Sequence, residues 1–210
     1  MKSIITIGRQ TGSGGRYIGQ KIAEKLNIPF YDSNLLQRAA KECGFCEEIF
    51  EHHDEKPTNS FLYSIVMSNG FGFTSGGFND MPLDHKIFMA QFDTIRRIAD
   101  EGPCVIVGRC ADYALEDYAP YFSVFIHAPE DVRVATMQQR FSELTLSKAH
   151  EQINKTDKQR KSYYNYYTNK QWGSSLSYDM CLDSSSLTMD ACVDIIINAA
   201  EIKDRTINNK

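Results

Sequence analysis

A chain of 210 residues, 42% hydrophobic and 24% charged with 11 Tyr and 12 Phe, can bury a core and is excluded from the disordered classes. Its net charge of -4 disfavours a general nucleic-acid surface, so the expectation is no nucleic-acid partner and any local cationic cluster is informative. The length suits one domain with a subdomain inserted into it, and the opening MKSIITIGRQ is too short in apolar residues for a signal peptide or membrane span, which points to a cytoplasmic protein with no membrane partner.

In chain order, SIITIG (3–8) is a β-branched run bounded by glycine and reads as a buried strand. The loop GRQTGSGGRYIG (8–19) follows it directly, and Ile18, Ile22, Ala23 and Leu26 then recur as a helical stripe. IPFYD (28–32) makes a second short strand ending at Asp32, after which DSNLLQRAAKE opens a helix with Asp32 or Ser33 as its N-cap. Residues 56–82, rich in Gly, Ser, Asn and aromatics without a sustained period, read either as a loop that closes over a ligand or as a mobile surface loop. A helix from about His85 to Asp100 leads to the strands PCVIVG (103–108) and YFSVFIHA (121–128). PEDVRVATMQQRFSE starts a helix with proline first and acids in its first turn. YDMCLD (178–183) is a last strand, and TMDACVDIIINAA (188–200) a last helix capped by Thr188. Strands alternating with helices predict an α/β domain whose mostly parallel sheet is covered on both faces and binds ligands at the carboxyl ends of its strands. Of the six cysteines only Cys43 and Cys46 have a metal-like spacing, and no second pair accompanies them, so no protein-held metal is expected. The acidic and histidine-bearing EHHDE (51–55) reads as a solvated helix end.

The glycine loop has three readings. A phosphate loop G-x-x-x-x-G-K-[ST] surrounds phosphates with backbone N–H groups and adds a lysine and a hydroxyl. Here, if Gly14 is the second glycine, Gly15 stands at the lysine position and Arg16 at the hydroxyl. If Gly15 is that glycine, these become Arg16 and Tyr17. The backbone nest survives in either register, and the cation would be Arg16 or Arg9. A dinucleotide loop would use Gly12 to Tyr17 with Asp32 on the ribose, although bulky Tyr17 fills a position that must be small. The third reading is a plain turn. Phosphate binding uses this stretch best, with Arg9, Gln10, Thr11, Gly12, Ser13, Gly14, Gly15, Arg16 and Tyr17 as the binding residues.

Phosphoryl transfer needs positive charge around the moving group. Arg38 lies in the helix after the second strand, Arg109 follows VIVG directly, and Arg133 and Arg140 sit seven residues apart on one helix face. In Asn154 to Trp172 the cations Lys155, Lys158, Arg160, Lys161 and Lys170 meet one acid, Asp157, which shares a helical face with Arg160 and is placed to orient it. The tyrosines interleaved there would also suit a single-stranded nucleic acid, a reading the acidity of the rest of the chain opposes.

Taken together, these segments resemble the cytidylate-kinase-like group of P-loop nucleoside monophosphate kinases over nearly the whole chain. FYDSNLLQRAA is similar to the monophosphate-binding segment, VIVGRCADYAL to the Gly-Arg segment with Asp112 near a family acid, and FIHAPEDVRVATMQQR to the strand and helix leading into the lid. INKTDKQRKSYY resembles the lid helix. The resemblance implies a three-layer P-loop NTPase sandwich with a helical lid (141–176) and an inserted substrate region (33–85), acting with ATP and Mg²⁺ on a small-molecule substrate, a nucleoside monophosphate. It implies Arg109, Arg133 and Arg160 as catalytic residues, and Asp32, Ser33, Arg38, Arg109 and Asp112 as substrate-binding residues; the loop reading adds Arg16 to the first set and the shared helical face adds Asp157 to the second. A kinase of another small molecule, or a non-catalytic nucleotide-binding protein, are the alternatives.

Overall fold

The computed structural model describes residues 3–32, 83–118 and 120–208. The helix expected after Asp32, the 56–82 segment and the Cys43 and Cys46 pair lie outside them. Five described strands, β1 (Ile4–Arg9), β2 (Phe30–Tyr31), β3 (Val105–Val107), β4 (Tyr121–His127) and β5 (Met180–Asp183), form one sheet in the order β2-β3-β1-β4-β5. Every pairing among them is parallel.

Six described helices cover the sheet: α1 (Gly15–Leu26), α2 (Leu83–Glu101), α3 (Ala111–Ala114), α4 (Glu130–Arg140), α5 (Leu146–Thr168) and α6 (Met189–Asn208). Strand alternation divides the core into two layers. Ile5, Ile7, Val105, Val107, Val124 and Ile126 face Ile18 and Ile22 of α1 and Val193 and Ile196 of α6. Ile4, Cys104 and Ile106 face Ile95 and Ile98 of α2 and Ala111 and Leu115 at α3. Each fully buried isoleucine contributes about 1.5–3 kcal/mol, so the layer that carries the glycine loop is firmly seated. Gly19 lets α1 lie close on the sheet, since a Cβ there would meet Ile7 Cδ1 at 2.9 Å and Val107 Cγ2 at 3.1 Å.

The caps follow the sequence. Thr188 Oγ1 accepts from Ala191 N at 3.2 Å at the start of α6, and Pro129 precedes α4, whose first turn carries Glu130 and Asp131. The four described cysteines are free thiols, three of them buried. No described helix is long and apolar enough to cross a membrane.

The topology corrects one reading. In a dinucleotide fold the second strand neighbours the first, whereas here β3 lies between β1 and β2. The chain moves to one side of β1 for β3 and to the other for β4, so the sheet reverses its winding at β1. Arg9, the last residue of β1, and the loop that follows it stand at that reversal.

Candidate functional site

Residues 10–14 turn from β1 into α1, and neighbouring backbone holds the turn. Gln10 N donates to Ile126 O at 3.0 Å, and Gln10 Oε1 accepts from Ala128 N at 3.2 Å. Ser13 Oγ donates to Gln10 O at 2.8 Å, and Ser184 Oγ donates to Ser13 O at 2.7 Å. Ser184, just past β5, escaped the sequence reading; its only signal was a serine-rich run at a strand's carboxyl end. Gly12 and Gly14 have φ of 81° and 78°, in the left-handed region. A Cβ on Gly12 would lie 2.6 Å from Arg133 O, so the loop fits only as glycine.

Helix α1 begins at Gly15 with Gly14 as N-cap, which agrees with the register that takes Gly14 as the second motif glycine. Neither a side-chain cap nor an acidic residue occupies its first turn. The positive end of the helix, with its amide donors, is thereby left to an anion. Tyr17 is half exposed on the outer surface, with Lys21 Nζ over its ring at 5.7 Å.

Asp32, buried at the end of β2, accepts from Arg109 Nη1 at 2.9 Å and from Arg16 Nε at 2.6 Å. Burial pushes its carboxyl up, but the charges of Arg109 and Arg9 and the Arg16 hydrogen bond outweigh that and hold it below its usual value. Arg109 is aimed by its backbone as well. Gly108, Arg109 and Cys110 have successive φ values of 79°, 55° and 54°. A left-handed non-glycine residue costs about 1–3 kcal/mol, and this strain turns the chain sharply off β3, where Arg109 Nη1 also donates to Val107 O at 2.9 Å.

The cationic stretch runs from the middle of one helix, α5, 23 residues long and capped by Thr145, to just past its end, where Lys170 lies. Asp157 and Arg160 both face the loop: Thr11 N donates to Asp157 Oδ1 at 2.8 Å, and Arg160 Nη1 donates to Thr11 Oγ1 at 3.2 Å. The arginine placed on Asp157 is Arg133, with Nη1 at 2.7 Å from Oδ2, rather than the Arg160 of the sequence expectation. Arg133 is buried and also donates to Ala128 O and Thr11 O. Arg140 is exposed at the end of α4, its guanidinium 5.3 Å from the Phe141 ring. Shared helical phase therefore did not mean shared burial.

The interleaved tyrosines divide in the same way. Tyr163 and Tyr164 are buried and Tyr167 stacks on Phe88 at 4.1 Å, so these rings build the aromatic seam between α2 and α5, whereas Tyr166 is exposed. Tyr164 OH donates to Asp112 Oδ2 at 2.6 Å, joining α5 to α3. Burial pushes the Asp112 carboxyl up to about 6, against the lowering hydrogen bond from Tyr164. Nothing in the sequence marked that pair beyond an acid shortly after a strand.

A narrow cavity lies at the carboxyl ends of β1 and β3 beneath α5, lined in part by Arg9, Arg109, Asp112, Arg160, Tyr164 and Tyr178. Three arginines from separate elements thus meet at one crevice beside the glycine loop, an arrangement suited to a multiply charged anion. Ser33 and Arg38 lie outside the described residues.

A protein-family description, cytidylate kinase-like family, matches residues 4–186. A cytidylate kinase of Methanococcus aeolicus is 27% identical over 210 residues, covering 99% of this chain and 98% of that relative. Among solved structures, an uncharacterized protein from Eubacterium ventriosum is similar at a TM-score of 0.71 and 30% identity, over 95% of this chain and 99% of that one. A shikimate kinase from Bacteroides thetaiotaomicron shares the fold at a TM-score of 0.56 and 13% identity, over 96% and 99%.

Proposed function

The chain belongs to the cytidylate kinase-like family and is a phosphotransferase with the α/β fold of P-loop kinases; from that premise we propose that it moves the γ-phosphoryl group of ATP to a nucleoside monophosphate. The observation that carries the proposal is the convergence of Arg9, Arg109 and Arg160 on one cavity at the strand ends, directly beside an uncapped helix N-terminus.

On this reading the loop from Gln10 to Gly15 and the first amides of α1 hold the triphosphate, the left-handed glycines giving the close backbone approach that phosphate oxygens need. Arg109, preset by Asp32 and by its strained backbone, meets the acceptor phosphate at the cavity it shares with Asp112, and Ser33 and Arg38 are proposed as further acceptor-binding residues. Arg160 comes over the loop from α5 and meets the charge that builds on the transferred group. Arg133 and Asp157 act as positioning residues, binding Thr11 and so tying α5 to the loop. Residues 141–176 serve as the lid that excludes water, and 33–85 as the acceptor-binding region.

The loop's chemistry fits ATP: Gly12 and Gly14 pack in left-handed conformations against Arg133 and Met189, and the first turn of α1 carries no side-chain cap, so its backbone amides are the donors a phosphate would take. Mg²⁺ finds no such site among the described residues. The motif hydroxyl is replaced by Arg16, the Asp32 carboxylate is taken up by arginines, and no described cluster of three acidic, histidine or cysteine ligands exists. Mg²⁺ is therefore expected only with the nucleotide's own phosphates, and no step is assigned to it.

Glycine at the lysine position favours one competing reading, a nucleotide sensor without chemistry. A coupled assay with ATP across the common nucleoside monophosphates separates the two. Turnover with at least one acceptor is the expected result. Binding of ATP with no turnover of any monophosphate would defeat the proposal.

A further inference from the structure

We infer that Arg9 is the phosphate-loop cation of this protein, and that Gly15 is glycine in order to make room for it. The inference rests on the loop being a phosphate site. In the common motif a glycine stands five residues before the last loop glycine, and lysine directly after it. With Gly14 as the last loop glycine, those places belong to Arg9 and Gly15. The glycine and the cation have exchanged positions, and the cation rises from the end of β1 instead of the start of α1.

The two positions touch, which makes the exchange reciprocal. A Cβ built on Gly15 would lie 2.6 Å from Arg9 Cβ and 3.3 Å from Ile126 Cβ. Arg9 pairs with Ile126 across β1 and β4, and Ile126 pairs on its other side with Leu182 of β5, so neither Cβ can give way as the far end of a flexible chain would. A side chain at one position thus requires glycine at the other. A lysine at 15 cannot coexist with Arg9, and its loss is the steric consequence of placing a cation at 9.

Geometry also separates Arg9 from Arg16. Arg9 is buried and lines the same cavity as Arg109 and Arg160, and its carbonyl lies 3.5 Å from Arg160 Nη1. Arg16 is half exposed, its Nε on Asp32 and its guanidinium 5.9 Å from the Phe30 ring, beside an open outer groove lined by Gln20, Asn27 and Phe30. Arg16 therefore runs along the outer edge of α1, whereas Arg9 lines the crevice, its charge also reaching Asp32. A guanidinium there presents a planar fork to phosphate oxygens in place of the lysine point charge.

The test uses tripolyphosphate as the probe, alone and compared with ATP, in titrations and thermal unfolding of the full chain. Tripolyphosphate raises the unfolding midpoint of the parent, and Arg9→Met weakens its affinity by about tenfold or more, a larger loss than that of Arg16→Met. Arg9→Lys, which keeps the charge, retains part of the protection. Gly15→Lys lowers stability in the parent. Combined with Arg9→Gly it is tolerated, and tripolyphosphate affinity returns to within about threefold of the parent. No protection of the parent, an equal or greater loss from Arg16→Met, or a Gly15→Lys defect as large without Arg9 as with it would overturn the inference. A protein protected through Arg9 that phosphorylates no monophosphate leaves it standing and defeats only the proposed function.

Discussion

Asp32 and Asp157 each gather arginine at the carboxyl edge of the sheet, but the elements that hold them differ. Asp32 and its partners Arg109 and Arg16 hang from β2, the end of β3 and the first turn of α1, all seated on the main core. Asp157 rides on α5, whose apolar ties run to α4 through Val134, Met137, Ala149 and Ile153 and to α2 through its tyrosines. The first cluster is part of the framework, with charges set before any ligand arrives. The second joins two pieces of framework, fastening α5 to the loop by way of Thr11. Similar chemistry serves preorganisation in one place and coupling in the other.

The largest effect is expected at Arg109. Arg109→Met removes the most buried guanidinium on Asp32, and a broken buried pair of this kind costs about 3 kcal/mol, read in urea unfolding. Its kcat/KM falls by about 10³-fold. Unchanged stability would show that the Asp32 cluster is not framework after all.

Asp112 tests the bridge between the two regions through its bond to Tyr164. Its folded-state pKa of about 6 lies above the ordinary 3.8, so folding favours the protonated acid. That stabilisation is full below the unfolded value and is lost as pH rises through about 6. The group's contribution falls by about 3 kcal/mol between roughly pH 4 and pH 7. Asp112→Asn cannot ionise, so its stability relative to the parent improves over this window in chemical unfolding at a series of pH values. Asp32 runs the opposite way, its lowered pKa adding stability above its unfolded pKa that disappears as pH falls through the folded one.

Asp157→Asn addresses the coupling directly. Loss of the charged bonds to Thr11 and Arg133 costs about 1–2 kcal/mol in stability and about tenfold in kcat/KM, with slower hydrogen exchange of Thr11 N in the parent as the local readout. A stability loss as large as that of Arg109→Met would erase the contrast between the clusters. The smallest effect belongs to Arg140→Ala, whose exposed side chain contributes less than about 0.5 kcal/mol and about twofold in rate.

Much of the fold was legible because it rests on local patterns. β1, β3 and β4 are β-branched or apolar runs between turn residues, and α6 announced itself through Thr188. Strand order was not legible, since short parallel strands pair through crossovers whose destination the local sequence does not state. At the site, the glycine loop and the Gly-Arg after β3 were visible as residue types. The strained turn at Arg109 and Cys110 was not, because neither is a residue that favours positive φ. Arg133 and Arg140 looked equivalent by spacing, and only the end of α4 separated a buried positioning group from a solvated one.

By itself the sequence determined that a glycine loop follows a buried strand, that no lysine follows its last glycine, and that arginines stand at strand ends and along one cationic helix. Those are properties of neighbouring residues, set by backbone preference and periodicity. Tertiary structure decided which arginine enters the crevice, which one binds Asp157, and why Gly15 must lack a side chain. The first two depend on elements distant in the chain coming together, and the third on α1 folding back over the end of β1, where a Cβ 2.6 Å from another permits one side chain and forbids its neighbour.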